Sequence, residues 1–262
     1  MENVAANINI LGQFCGKRDL MDLTSEQLQK VYRITQADVM VLFGGSILCG
    51  GDILADAMKN GIAKKYIIVG GEGHTTETLR VKMHAQFPDI ETANLPEAQV
   101  FAKYLEYQYG LKPDFLECKS TNCGNNITYL LELLRKNRIP CKSIILAQDA
   151  TMQRRMEAGL KKYVDDHVQI INYAVYSAKI IVENHSLVYE KEIWGMWDIE
   201  RYISLLLGEI PRLSDDVNGY GPRGKGFTAH VEIPSKVRNA FGELCSTYSE
   251  LVREANPLYA SK

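Results

Sequence analysis

The 262-residue sequence lacks paired cysteines at zinc-binding spacing, a long apolar run and a phosphate-loop signature, and each absence removes a class of function. Its six cysteines (Cys15, Cys49, Cys118, Cys123, Cys141, Cys245) form no CxxC pair. The nearest spacing, Cys118 to Cys123, has neither a second pair nor nearby histidines to complete a tetrahedral site, so no metal is expected. Free thiols in a reducing cytoplasm are the simpler reading. The stretch from Met1 to Leu20 has no basic start followed by an unbroken apolar core, so export is not expected. No uncharged apolar stretch approaches the ~18 residues of a spanning helix. The densest run, Ile203 to Leu207, is far shorter, and a soluble chain without membrane insertion is expected. With 30 Lys+Arg against 32 Asp+Glu, the net charge of −2 gives no long-range attraction to nucleic acid or an anionic membrane, so any anion site must be local.

What is present is an ordinary globular composition, 46% hydrophobic and 24% charged, arranged as alternating strand and helix patterns. Val39 to Phe43 and Tyr66 to Val69 are continuous apolar runs, as expected of parallel strands covered on both faces, and each ends in a glycine pair, Gly44-Gly45 and Gly70-Gly71. Between them Ile53, Leu54, Ala57 and Met58 recur at helical spacing and Gly61 stops the helix. Pro96-Glu97 opens a further helix that Gly110 ends, Phe115-Leu116 reads as a short strand, and Ile127, Leu130, Leu131 and Leu134 mark a strong amphipathic helix. Ser143 to Ala147, a helix from about Thr151 to Tyr163, and Val168 to Asn172 complete the alternation. The expected class is α/β: an open parallel sheet of about five strands with helices on both faces.

Three segments are expected: a helical extension over residues 1–35, the α/β core over 36–175, and a helical addition over 176–262. Within the last, Val175 to Leu187 reads as an excursion beside the sheet, Trp194 to Leu207 as helical, Thr228 to Ile233 as a strand, and Val237 to Leu251 as a closing helix. The glycine- and proline-bearing loop from Leu213 to Phe227 is long enough to imply a function, and is expected to fold over the cleft with Tyr220 or Arg223 touching ligand.

Ligands bind at the carboxyl ends of parallel strands, where helix amino termini present unpaired N–H groups. Gly44-Gly45-Ser46 and Gly70-Gly71-Glu72-Gly73-His74 sit there, although neither is a GxGxxG fingerprint and neither carries a Walker lysine. Glu72 is placed to accept hydrogen bonds from a ribose, and His74 is kept as a binding candidate. The polar run Ser120-Thr121-Asn122-Cys123-Gly124-Asn125-Asn126 holds more small polar residues than a helix cap needs, and marks a pocket wall through Ser120, Thr121, Asn122 and Asn126. The next junction, Gln148-Asp149-Ala150-Thr151-Met152-Gln153-Arg154-Arg155, adds Gln148, Asp149 and Met152. It also puts two arginines in the first turn of a helix, where the dipole disfavours a cation. A ligand anion would compensate them; adjacent helix residues point about 100° apart, and Arg154 is the one assigned to the site. No residue is assigned a catalytic role; Cys123 has no histidine near it in sequence.

Those two runs, with Glu200-Arg201-Tyr202, Gly208-Glu209-Ile210-Pro211-Arg212-Leu213 and Asp216-Val217-Asn218-Gly219-Tyr220-Gly221-Pro222-Arg223-Gly224, resemble the YdcF branch of the ElyC/SanA/YdcF family of bacterial proteins. The resemblance implies a Rossmann-like fold with a carboxyl-terminal helical addition, and binding of S-adenosylmethionine. Asn125 stands where that family usually has glutamate, and Thr151 where its wider membership often has histidine. The expected function is nucleotide-like small-molecule binding, S-adenosylmethionine first, with methyl transfer conceivable despite the absence of a GxGxG loop. Two alternatives stay open: a hydrolase or transferase acting on a phosphorylated or nucleotide-like substrate, and a ligand sensor without catalysis.

Overall fold

The computed structural model describes residues 1–45 and 47–252. Five strands form one all-parallel sheet in the order β3-β2-β1-β4-β5: β1 (Ala37–Phe43), β2 (Ala63–Val69), β3 (Phe115–Glu117), β4 (Ser143–Ala147) and β5 (Gln169–Asn172). The apolar runs are continuous because both faces of the sheet are covered. On β1, Val39, Val41 and Phe43 point to one apolar cluster while Met40 and Leu42 point to another. Successive strand side chains alternate faces, so a strand buried on both sides must be apolar at every position.

The chain opens with α1 (Glu2–Cys15) and α2 (Ser25–Tyr32), and crosses from β1 to β2 through α3 (Cys49–Lys59). Between β2 and β3 it makes α4 (Thr76–Gln86) and α5 (Glu97–Tyr109); α6 (Cys123–Lys136) and α7 (Gln153–Lys161) follow β3 and β4. Helices α6 and α7 cover one face through Ile127, Leu130, Leu134, Met156 and Leu160. Leu54, Phe101 and Tyr104 of α3 and α5, with Ile8 and Leu11 of α1, cover the other. From β1 the chain works outward to β2 and β3, then returns to lay β4 on the free edge of β1. That reversal opens a crevice between the carboxyl ends of β1 and β4, the place where doubly wound sheets bind ligands.

The remainder departs from the sequence reading in three places. The segment from Val175 to Leu187 contains most of an antiparallel hairpin, β6 (Ile180–Glu183) and β7 (Ser186–Tyr189). Its turn residues Asn184 and His185 both have positive φ, 50° and 59°, the backbone a two-residue hairpin loop requires. Helix α8 (Ile199–Leu213) starts later than Trp194, because the Asp198 side chain accepts from Arg201 N–H and caps it there. Thr228 to Ile233 is not a strand: the Thr228 and Ala229 N–H groups go to the carbonyls of Tyr220 and Ala158 instead of a neighbouring strand. The closing helix is α9 (Ser235–Thr247), whose Glu243 accepts from Asn3 and Asn7 of α1.

Candidate functional site

The floor of the crevice is built from turns that leave almost no side chain in the way. Gly44 N–H donates to Val69 C=O at 2.7 Å, joining the β1 turn to the end of β2. A Cβ on Gly71 would lie 2.2 Å from the Ser120 carbonyl oxygen, so only glycine lets the β2 and β3 turns meet there. Gly71 N–H in turn donates to Ser120 Oγ at 3.1 Å. Gly44, Gly45, Gly71 and Gly73 border a cleft of about 230 Å³.

The polar run after β3 both caps and lines. Asn122 Oδ1 accepts from Asn125 N–H at 2.9 Å, capping α6. Asn125 Oδ1 takes the Asn122 amide at 2.9 Å and the Thr121 hydroxyl at 3.2 Å. Asn125 therefore knits its own turn together. Ser120, Thr121, Asn122 and Asn126 all line the cleft, as do Cys123 and His74. Burial raises the Cys123 thiol above its ordinary pKa and Glu209 adds to this, against the opposing pull of Arg155 and Arg212. The thiol is not prepared as a nucleophile.

At the β4 end, Gln148, Asp149 and Met152 line the cleft. Asp149 is buried and fully engaged: it accepts from Thr151 N–H (2.8 Å) and Oγ1 (2.9 Å), Tyr176 OH (2.7 Å) and Trp197 Nε1 (2.9 Å). Thr151 donates to it from both backbone and side chain. Asp149 thus fastens the segment before α8 to the sheet.

The arginine assignment is reversed by the phase of α7. Arg154 turns toward α1, where Nε donates to the Phe14 carbonyl and the guanidinium stacks 4.3 Å from the Phe14 ring. Arg155, about 100° further round the helix, enters the cleft. Its fork grips Glu209 of α8 through Nε (2.6 Å) and Nη2 (2.9 Å), with side-chain exposures of 13% and 6%. Burial alone would lower the Arg155 pKa, but the Cys123 sulfur and the Glu209 carboxylate outweigh it and the net direction is upward.

Other assigned residues fall outside the cleft lining. Glu72 is a solvated loop carboxylate, its side chain 61% exposed with Arg80 Nη2 at 3.2 Å. Gly70 lies behind Glu97, whose Cβ would be 3.0 Å from a Cβ placed there. Arg223 is 75% exposed and turns away to Asp215 at 3.3 Å. Tyr220 of the same loop does line the cleft. Ser46 lies outside the described residues.

Several wall residues were not assigned from the sequence. Arg201, Ser204, Leu205, Gly208, Glu209 and Arg212 fall at i, i+3, i+4, i+7, i+8 and i+11 on α8, and all face the cleft. Tyr202, Ile203, Leu206, Leu207, Ile210 and Leu213 of the same helix face the core. A polar stripe of that period was readable and is the signal that could have found them. Glu97 also lines the cleft while only 7% exposed. In the sequence it looks like a first-turn acid, a position the helix dipole favours anyway. Burial raises its carboxyl pKa, against the Thr76 and Thr75 hydroxyl bonds and the Arg80 charge.

The cleft is thus lined by glycine turns, by three acids, Glu97, Asp149 and Glu209, and by three arginines, Arg155, Arg201 and Arg212. Among the described residues no three His, Cys, Asp or Glu side chains are grouped as a metal ion requires. Nor is any described helix long and apolar enough to cross a membrane. The fold and site define an open, doubly wound α/β protein of Rossmann-like class, with its cleft at the switch point. No protein-family model matches the chain.

Proposed function

We propose that the chain is a YdcF-like small-molecule binding protein that holds a nucleotide-like ligand carrying a carboxylate or phosphate group in this cleft, with S-adenosylmethionine as the first candidate. The observation that carries the reading is the arginine wall. Glu209 compensates Arg155; Arg201, 5.5 Å from the Trp197 ring, and Arg212, which donates to the Gly208 carbonyl, bring two further positive charges to a cleft floored by glycine turns, where an anionic group would be attracted. The methionyl carboxylate of S-adenosylmethionine supplies such a group, and its adenosine is assigned to the glycine turns at the ends of β1 and β2. The resemblance in the polar runs supports the same ligand and a bacterial, cytoplasmic setting.

Titration calorimetry with S-adenosylmethionine tests the proposal. Arg212→Ala and Arg201→Ala should each lose about 1.5–3 kcal/mol of binding, the worth of a charge-assisted hydrogen bond. Arg154→Ala and Glu72→Ala, on residues outside the cleft lining, should bind as wild type does. A second reading, a hydrolase or transferase for a phosphorylated or nucleotide-like substrate, is favoured by one further observation: the amino terminus of α6 adjoins the arginine wall through Cys123. Absence of S-adenosylmethionine binding together with turnover of a phosphoester panel would decide for it.

A further inference from the structure

Glu97 is held in a way that capping α5 does not require. The amino terminus of α5 is docked on the β2 turn by backbone alone, with Glu97 N–H donating to Gly71 C=O at 3.0 Å and Ala98 N–H to Gly70 C=O at 2.8 Å. The side chain is then fixed separately: Oε1 accepts from Thr75 Oγ1 at 3.0 Å and Thr76 Oγ1 at 2.9 Å. Two glycines in two different turns make room for it. A Cβ on Gly44 would lie 2.5 Å from Oε2 and 2.8 Å from the Glu97 Cβ; one on Gly70 would lie 3.0 Å from that Cβ and 3.3 Å from Oε2. The carboxyl is therefore packed between the turns that end β1 and β2, on the border of the cleft.

A carboxylate at the end of the second strand is where dinucleotide-binding sheets accept hydrogen bonds from ribose hydroxyls. Glu72 occupies that place in sequence but is turned to solvent. Helix α5, the second after β2, brings an acid against the turns that end β1 and β2 from a different point in the chain. We infer that Glu97 is the residue that recognises a ribose hydroxyl of the bound ligand, with Oε1 anchored by the two threonines and Oε2 left over the β1 turn to accept from the sugar. This inference rests on the nucleotide-like reading of the cleft and adds its specificity: a ribonucleoside is preferred over a deoxyribonucleoside. It also orients the ligand, sugar toward the glycine turns and anionic group toward α8. The raised carboxyl pKa accords with a buried acceptor whose partner arrives with the ligand.

The test is calorimetry with S-adenosylmethionine, adenosine, 2′-deoxyadenosine and 3′-deoxyadenosine on wild type, Glu97→Ala and Glu97→Gln, each variant checked by thermal melting. Wild type should bind adenosine about tenfold more tightly than at least one deoxynucleoside, the worth of one hydrogen bond to a charged group. In Glu97→Ala that ratio should fall to within about twofold, because the acceptor is gone while the cleft remains, and in Glu97→Gln it should fall at least about threefold, because an uncharged amide donor replaces the charged acceptor. Glu97→Gln keeps the volume and can still take the threonine hydroxyls on its amide oxygen, so it reports even where the alanine variant fails to fold. A ratio that survives in the variants, or a wild type that binds nucleosides without preference, overturns the inference and leaves the binding function standing. A wild type that binds neither S-adenosylmethionine nor adenosine overturns the reading of the cleft and this inference with it.

Discussion

Removing Glu209 should be among the most damaging single changes available on α8, although the residue touches no core side chain chemistry of its own. Arg155 and Glu209 are joined by two hydrogen bonds, 2.6 and 2.9 Å, with side-chain exposures of 13% and 6%. At that burial solvent screens the pair little, and stranding one partner of a buried ion pair costs about 3–5 kcal/mol. For a chain of this size each kcal/mol moves the melting temperature by about 2–4 °C, so Glu209→Ala should melt roughly 6–20 °C below wild type. Arg155→Met should lose a comparable amount. The double variant Arg155→Met with Glu209→Leu should recover much of the loss, since it leaves no charge buried alone, and a double-mutant cycle should give a coupling of about 2 kcal/mol or more. Urea denaturation of the four proteins measures each term. The reasoning fails if Glu209→Ala melts within about 2 °C of wild type, or if the double variant is no more stable than the worse single.

Gly71→Ala should destabilise by about 3 kcal/mol or more, because its Cβ would meet the Ser120 carbonyl at 2.2 Å; Gly73→Ala, with Thr121 O at 3.4 Å, should be tolerated, and chemical denaturation of the two separates them. His230 Nδ1 lies 2.7 Å from Asp215, which raises the histidine pKa, so its contribution is full below the ordinary histidine range and is lost as pH rises through the raised value. An NMR titration should find the His230 ring titrating above an unperturbed histidine, and Asp215→Asn should return it toward the ordinary value. Burial raises the Glu97 carboxyl pKa, so the fold is favoured below the ordinary carboxylate range and loses that contribution as pH rises through the raised value. Glu97→Gln should therefore flatten the pH dependence of stability and match or exceed wild type at pH 8, measured by melting across pH.

The sheet was legible because its signal is local. Val39 to Phe43 and Ile144 to Ala147 are apolar at every position, which only strands covered on both faces tolerate, and the observed strands fall on those runs. Helix α6 was legible for the same reason, its buried Ile127, Leu130 and Leu134 spaced on one face. The gathering of Gly45, Gly71, Asn122 and Gln148 round one cleft then followed from strand polarity alone. What was not legible depends on orientation. Choosing between Arg154 and Arg155 requires the phase of α7 about its axis, set by the packing of Met156 and Leu160 against the sheet. Helix α4 went unread because only Thr76, Leu79 and Met83 are buried along it, too few to print a period. Glu97 was seen as a helix start because nothing in its neighbours reveals that two distant glycine turns close over it.

Helix α8 divides its labour lengthwise: one side is core, the other is the wall of the cleft. The floor opposite is backbone and glycine, where a side chain at Gly44 or Gly71 meets an obstacle, so those turns have little room to diverge. The wall carries side chains on a helix whose anchoring residues are elsewhere on its circumference. A lineage could therefore change what the cleft accepts by exchanging residues at a few positions of one helix, while the sheet that made the cleft stays as it is.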